Sequence, residues 1–258
     1  EPPDGSAPVL FLRVESPGGG LTASDQMYEV VRRLKSDGKK VVVSMGSVAA
    51  SGGYYISAPA HEIVAEPTTT TGSIGVLMEW FVLKGTLEKL GVEPVVMKSD
   101  SARAWKDEIS IFEKPEQRHR QHLQQLLNRM QKRFENVVRS GRGQRLQTTT
   151  TRRTIRVGEG DDAREVTYTE TEPLNGKIYL AQKAMDFGLV DRIGYQDRAI
   201  ERAQSLAGLT KPRVVRYQVR RPLMSQLLGR GRNPAALVEP ETLDRLRTPR
   251  MMLLWKAE

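Results

Sequence analysis

Apolar positions along the first hundred residues alternate between two patterns. Val9-Leu10-Phe11-Leu12 and Val41-Val42-Val43 are near-continuous apolar runs, as in strands covered on both faces of a parallel sheet. Between them Met27, Val30, Val31 and Leu34 recur at helical spacing, with Thr22 or Ser24 as a cap and Asp37-Gly38 as a stop. The pattern predicts further strands at 62–65, 74–78 and 92–97. Helices are predicted from Ser51 and over 83–90, with Gly46 to Ala50 as a small-residue loop and Thr68 to Gly72 as a turn. This order predicts an α/β domain with parallel strands and right-handed crossovers. A long helix follows over 115–139, with Leu123, Leu126, Leu127, Met130, Phe134, Val137 and Val138 as its apolar stripe.

The pattern then breaks. Thr148 to Thr151, Arg152-Arg153 and the acidic Glu159 to Asp162 suggest an exposed insertion over 141–175. Its flanks, Ile155 to Val157 and Glu165 to Tyr168, can pair as a hairpin. Two short helices are expected at about 180–187 and 196–207. The organisation read from this is a core over 1–140, the insertion, a helical return to the core over 176–210, and a basic tail over 211–258. That tail is expected to pack weakly until Met251 to Trp255, an apolar patch that should dock on something.

Among the 258 residues there is no Cys, so disulfide scaffolds, thiolate nucleophiles and thiolate metal sites are excluded. No apolar run is long enough to span a bilayer and no signal peptide opens the chain, which reads as a fragment of a longer protein. The net charge of +9 is concentrated at 139–156 and 211–232. Neither stretch interleaves aromatics at base-stacking spacing, so a solvated face or a membrane-surface contact is favoured and specific nucleic-acid binding is not expected. Phosphate-loop and dinucleotide glycine motifs are absent, as are the zinc-helix motif and the hydrolase elbow. His61, His119 and His122 are the only histidines, and the last two are expected on the surface of the long helix. No metal or cofactor site is read from the residues.

Two small-residue segments remain: Ser16-Pro17-Gly18-Gly19-Gly20 and Ala49-Ala50-Ser51-Gly52-Gly53. Both end predicted parallel strands, where ligands bind in such sheets. Gly leaves its N–H unshielded, so two such loops side by side can donate to a developing oxyanion. Ser51, opening a helix, stands in a field that favours negative charge. With His scarce, a Lys brought towards neutrality by burial is the plausible base. Lys106, after Ala104-Trp105, and Lys98, just past an expected strand, are the candidates.

Leu12 to Gly20, Ser44 to Ser57, Thr71-Gly72-Ser73-Ile74-Gly75 and Gly188-Leu189-Val190-Asp191 together resemble the signal peptide peptidase A (SppA) family of membrane-associated bacterial serine proteases. The likeness covers about residues 9–140 and 176–208. It implies a Clp protease/crotonase-like fold of repeated β-β-α units, with a parallel sheet and a long C-terminal helix, here carrying the inserted hairpin. It further implies Ser51 as nucleophile, Lys106 as base, Gly19 and Gly52 as oxyanion donors and Ser73 as the residue that orients the Lys. Peptide substrates, a ring-shaped homo-oligomer whose neighbouring protomers share each site, and a place in the bacterial cell envelope also follow from it. This chain departs from the family at Glu15, where Asn is usual, in the insertion, and in lacking the N-terminal strands and membrane anchor. Two other readings are a crotonase-type acyl-CoA enzyme on the same fold and an inactive basic surface-binding scaffold.

Overall fold

A computed structural model describes residues 8–157, 163–210, 214–215 and 250–254. Its central strand is β3 (Lys40–Ala50), which runs straight through the segment expected to be a loop. β1 (Val9–Ser16) lies parallel to it, from Val9 opposite Lys40 to Ser16 opposite Ala49, with an irregularity between Val14 and Ser16. β4 (Glu62–Ala65) pairs with the first half of β3, and β5 (Thr70–Gly72) with the second half, both parallel. β10 (Arg192–Ile193) extends the sheet beyond β4 in parallel, and β9 (Ile178–Leu180) closes the other edge antiparallel to β5. One strand thus serves two sets of neighbours, Val42–Met45 against β4 and Val48–Ala50 against β5, and between them Gly46 leaves room for the Glu15 carboxylate that a Cβ there would strike.

The apolar run at 41–43 is explained by burial on both faces. Val41, Val43 and Met45 join the main core with Tyr28, Val31, Tyr55 and Phe134. Val42 and Val64 face the opposite way, against Ala199 and Ala203. Helices cover both sides: α1 (Leu21–Ser36), α2 (Gly52–Ser57) and α4 (Gln117–Arg142) on the first, α6 (Gln196–Ala207) on the second. α5 (Ala181–Asp186) follows β9 and buries Ala181 and Ala184. The buried Arg142 guanidinium bonds Asp191 at 2.6 Å through Nη2 and the Gly188 carbonyl at 2.8 Å through Nε, while its Nη1 has no hydrogen-bond partner among the described residues.

Several expectations change. Helix α1 starts at Leu21 with Gly20 as its cap, and Ser24 Oγ donates back to the Gly20 carbonyl at 3.1 Å. The stretch 74–78 yields only β6 (Leu77–Glu79), and α3 occupies Lys84–Lys89. No strand forms at 92–97: Val95 and Met97 are 86% and 92% exposed, and no neighbouring strand offers a ladder there. On α4 the buried stripe narrows to Leu123, Phe134, Val137 and Val138. His119 is buried rather than exposed, because its Nε2 meets the Ala104 carbonyl at 2.6 Å. The hairpin is longer than expected, pairing β7 (Thr149–Val157) with β8 (Arg164–Glu172). Most of the basic tail lies outside the described residues. No described helix is long and apolar enough to cross a membrane.

Candidate active site

Ser51 sits at the turn between β3 and α2 with φ 56° and ψ −115°, a conformation unusual for a residue with a Cβ. Such strain costs on the order of 1–3 kcal/mol and persists only where the surroundings over-determine it. Here they do. The Ser51 N–H donates to the Gly72 carbonyl at 2.8 Å, and its own carbonyl accepts from Tyr55 N–H at 2.8 Å. Every residue of α2 is buried. The Tyr54 hydroxyl donates to the Leu189 carbonyl at 3.0 Å and the Tyr55 hydroxyl to Asp25 at 2.5 Å. Burial pushes both phenols well above their ordinary pKa, so they remain neutral donors. Tyr55 is wedged between the rings of Tyr28 and Phe134, at 5.6 and 4.8 Å. Against this rigid frame, the Ser51 Oγ is buried and has no hydrogen-bond partner among the described residues. An unpaired buried hydroxyl is costly, and such groups mark places where something else is meant to bind.

The glycine loops meet beside it. A Cβ on Gly52 would lie 2.5 Å from Ser24 Oγ and 3.2 Å from the Gly19 nitrogen, and one on Gly53 would lie 2.7 Å from the Ser16 carbonyl. This close approach is what requires glycine, and it sets the Gly19 and Gly52 backbones side by side. A Cβ on Gly19 would meet nothing within 4 Å, so its outer side is open. A cavity of about 300 Å³ adjoins both loops, with Leu12, Val14, Met27 and Ile56 as apolar walls. Glu15 explains how the loop is held in this chain. Its two oxygens accept from Ser47 N–H at 2.9 Å and Val48 N–H at 3.0 Å, bridging the irregularity between β1 and β3. A carboxylate can satisfy both N–H groups at once, which ties the strand leading into the glycine loop to the strand that carries Ser51.

The candidate bases lie elsewhere. Lys98 Nζ is bound to Asp107 at 2.6 Å and holds that carboxyl below its ordinary pKa. Lys106 is exposed, and no hydrogen bond joins it to Ser51. Its turn is anchored to α4 instead, through Ala104 on His119 and through Trp105, whose ring lies 5.5 Å from both His119 and His122. Ser73, also at positive φ (50°), is buried beside Gly72 and donates its N–H to the Lys177 carbonyl at 2.8 Å. The structure therefore brings together Ser51, Gly19, Gly52 and the Gly72-Ser73 turn, but not Lys106. The sequence marked Glu15 as a departure bearing on how the glycine loop is braced but not its partners Ser47 and Val48, and the role of His119 escaped it. For His119 a signal was present in its spacing from His122 and the nearby Trp105.

A groove runs along this site between β2 (Gly18–Gly20) and β6. It is filled by a strand of the same chain, β11 (Arg250–Leu254), antiparallel to both. Leu253 stands opposite Gly19, Leu254 opposite Gly18, and Met251 opposite Met78. The apolar patch expected to dock thus docks through its backbone, while Trp255 lies outside the described residues.

A family model described as "Peptidase family S49" matches residues 33–172. A protein of Enterococcus faecium named "Putative signal peptide peptidase SppA" is 34% identical over 81% of this chain. "Protease 4" of Haemophilus influenzae is 32% identical over 79% of it, and "Serine protease SPPA, chloroplastic" of Arabidopsis thaliana 30% identical over 84%. The chain spans 54% of the first relative's length and 29% of that of each of the other two. Among solved structures, a mutant ClpP1 from Listeria monocytogenes covers 74% of the chain and 77% of its own, at 14% identity and a TM-score of 0.38.

Proposed function

The chain belongs to peptidase family S49, and on that premise we propose that it is a serine endopeptidase working through Ser51 and Lys106. The observation that carries the reading is the buried, unpartnered Ser51 Oγ on a strained turn, beside two backbone donors and a groove already shaped for an extended strand. A substrate segment takes the place of β11 between β2 and β6, adding a strand by backbone bonds, as peptide-binding sheet edges do. The apolar walls beside the glycine loops favour apolar side chains, which suits peptides such as remnant signal peptides in the envelope of a bacterial cell.

The chemistry follows from the groups. Neutral Lys106 takes the proton from Ser51 Oγ as that oxygen attacks the substrate carbonyl. The tetrahedral oxyanion lies between the N–H groups of Gly19 and Gly52. The C–N bond breaks, the amine leaves with the proton from Lys106, and an ester on Ser51 remains. Water deprotonated by Lys106 then attacks the ester and frees the acid. Ser73 is the natural partner to orient the ammonium. Because Lys106 is exposed on its own chain, it reaches Ser51 of a neighbouring subunit. Burial at that contact supplies the desolvation that brings a Lys towards neutrality.

The test is hydrolysis of a fluorogenic apolar peptide by the wild type and by Ser51→Ala, Lys106→Ala and Lys98→Ala. Activity lost in the first two variants and kept in the third supports the dyad. Activity kept in Ser51→Ala overturns it.

A further inference from the structure

We infer that the β7–β8 hairpin joins neighbouring copies of this chain edge to edge. Its two strands of 9 residues each run without a break in register from Thr149 opposite Glu172 to Val157 opposite Arg164. Among the described residues they pair only with each other, so both outer edges are unpaired. Proteins that must keep such edges free use proline, bulges, short strands or charges, lysine above all. Neither strand has a proline, a lysine or a bulge, and the charges they carry are mainly opposite in sign, so they attract a second copy. An isolated two-stranded ribbon is also marginal in water, and a third strand is what ordinarily stabilises one.

The occupant is a second copy, because the two strands are already complementary. β7 carries Arg152, Arg153 and Arg156 and no acid, while β8 beyond its first residue carries Glu165, Glu170 and Glu172 and no base. Within one hairpin Arg153 bonds Glu170 at 2.8 Å, and Thr154 and Thr167 meet hydroxyl to hydroxyl at 2.9 Å. On the face shared by Arg153, Ile155 stands opposite Val166, beside Tyr168. Side chains of a strand project above and below the sheet, so each is within reach of both neighbouring strands. Glu170 is already held by Arg153, Lys177 and Asn175, but the exposed Arg156 and Glu165, opposite each other in the register, and the Thr–Thr and Ile–Val matches are available when β8 of one copy lies along β7 of the next. Copies related by rotation meet in that order and antiparallel, as the two strands already do, so the contact is head-to-tail and repeats around a closed ring.

The inference stands on the hairpin alone and is tested by mass, not by activity. Thr149 and Glu172 are paired, so residues 149–172 can be replaced by a short Asn-Gly turn without moving the core. Sedimentation of the full chain should give a multiple of 28.9 kDa. In the excised chain, with its circular dichroism preserved, subunit association should weaken at least tenfold. Because the chain has no Cys, Arg152→Cys and Thr169→Cys, opposite each other in the register, report neighbours directly. Mixed and oxidised, the two variants should form a covalent dimer that neither forms alone. An unchanged mass after excision, a monomeric wild type, or no mixed dimer would overturn the inference. A peptide-inactive but ring-forming protein would leave it standing while sinking the peptidase reading.

Discussion

From Ala49 to Ala60 every residue is buried, and from Leu77 to Arg118 none is. The first stretch carries Ser51 and the second Lys106. Around Ser51, two tyrosines with bonded hydroxyls, two glycines with no room for a Cβ, and the central strand hold one geometry. Around Lys106, a short turn leans on one end of α4 through Trp105. The difference teaches where the single chain is finished. It pre-organises the proposed nucleophile and the proposed oxyanion loop, but it displays the proposed base on a surface whose apolar side chains, such as Val95 and Met97, are open to contact.

The contrast can be broken most directly by mixing. Ser51→Ala and Lys106→Ala should each lose peptidase activity by about a thousandfold or more. Assembled together one to one, they should regain roughly a quarter of wild-type activity, because each intact site then takes Ser51 from one variant and Lys106 from the other. No recovery would place both groups in one subunit. Stability should divide along the same line. Phe134→Ala, in the packing under Tyr55, should cost about 3–5 kcal/mol in chemical denaturation. Met97→Ala should change the stability of the isolated chain by less than about 0.5 kcal/mol. Gly52→Ala should lower turnover about a hundredfold with the fold intact, because its Cβ meets Ser24 Oγ and the Gly19 nitrogen and displaces an oxyanion donor. Wild-type turnover would mean that Gly19 and Gly52 are not the donors.

Acid should weaken the buried side of the comparison. Burial lowers the His61 pKa, aided by Lys35, Lys40 and Arg145, and its Nδ1 accepts from Val41 N–H at 3.0 Å. A depressed His binds more protons when unfolded, so stability should fall as pH drops through about 6.5. At Glu62 burial pushes the pKa up, but Arg202 and Arg192 outweigh it and hold the carboxyl below 4.5. Its contribution is present above that value and is lost as pH falls below it. Thermal melts from pH 7 to 3 should show both stages, and His61→Gln should remove the upper one. A small effect is expected for Lys98→Ala in the same melts, because its salt bridge to Asp107 is partly exposed: under about 1 kcal/mol.

Much of this was legible in advance because buried parallel strands and tight glycine turns leave local signatures. Val41 to Val43 announced a strand covered on both faces, and Ser51-Gly52-Gly53 announced the start of a helix. The stretch at 92–97 misled, since an apolar run reads as a strand whether or not a neighbour exists to pair with it. Gly46 to Ala50 misled in the opposite sense: small residues suggest a loop, yet here β3 runs through them from β4 to β5. His119 read as a surface residue because its partner, the Ala104 carbonyl, belongs to a turn that composition does not place.

By itself the sequence determined the alternation of strands and helices, the two glycine loops, the candidate serine and the exposed hairpin. These follow from side-chain periodicity and backbone freedom, which act over a few residues. Only the tertiary structure decided that Gly19 lies against Gly52, that Glu15 bridges two strands, that Lys98 is taken by Asp107, and that Lys106 and Ser51 stand apart in one chain. Such relations depend on which distant segments touch. Burial, hydrogen bonding and charge pairing set them across dozens of residues, and no local pattern encodes them.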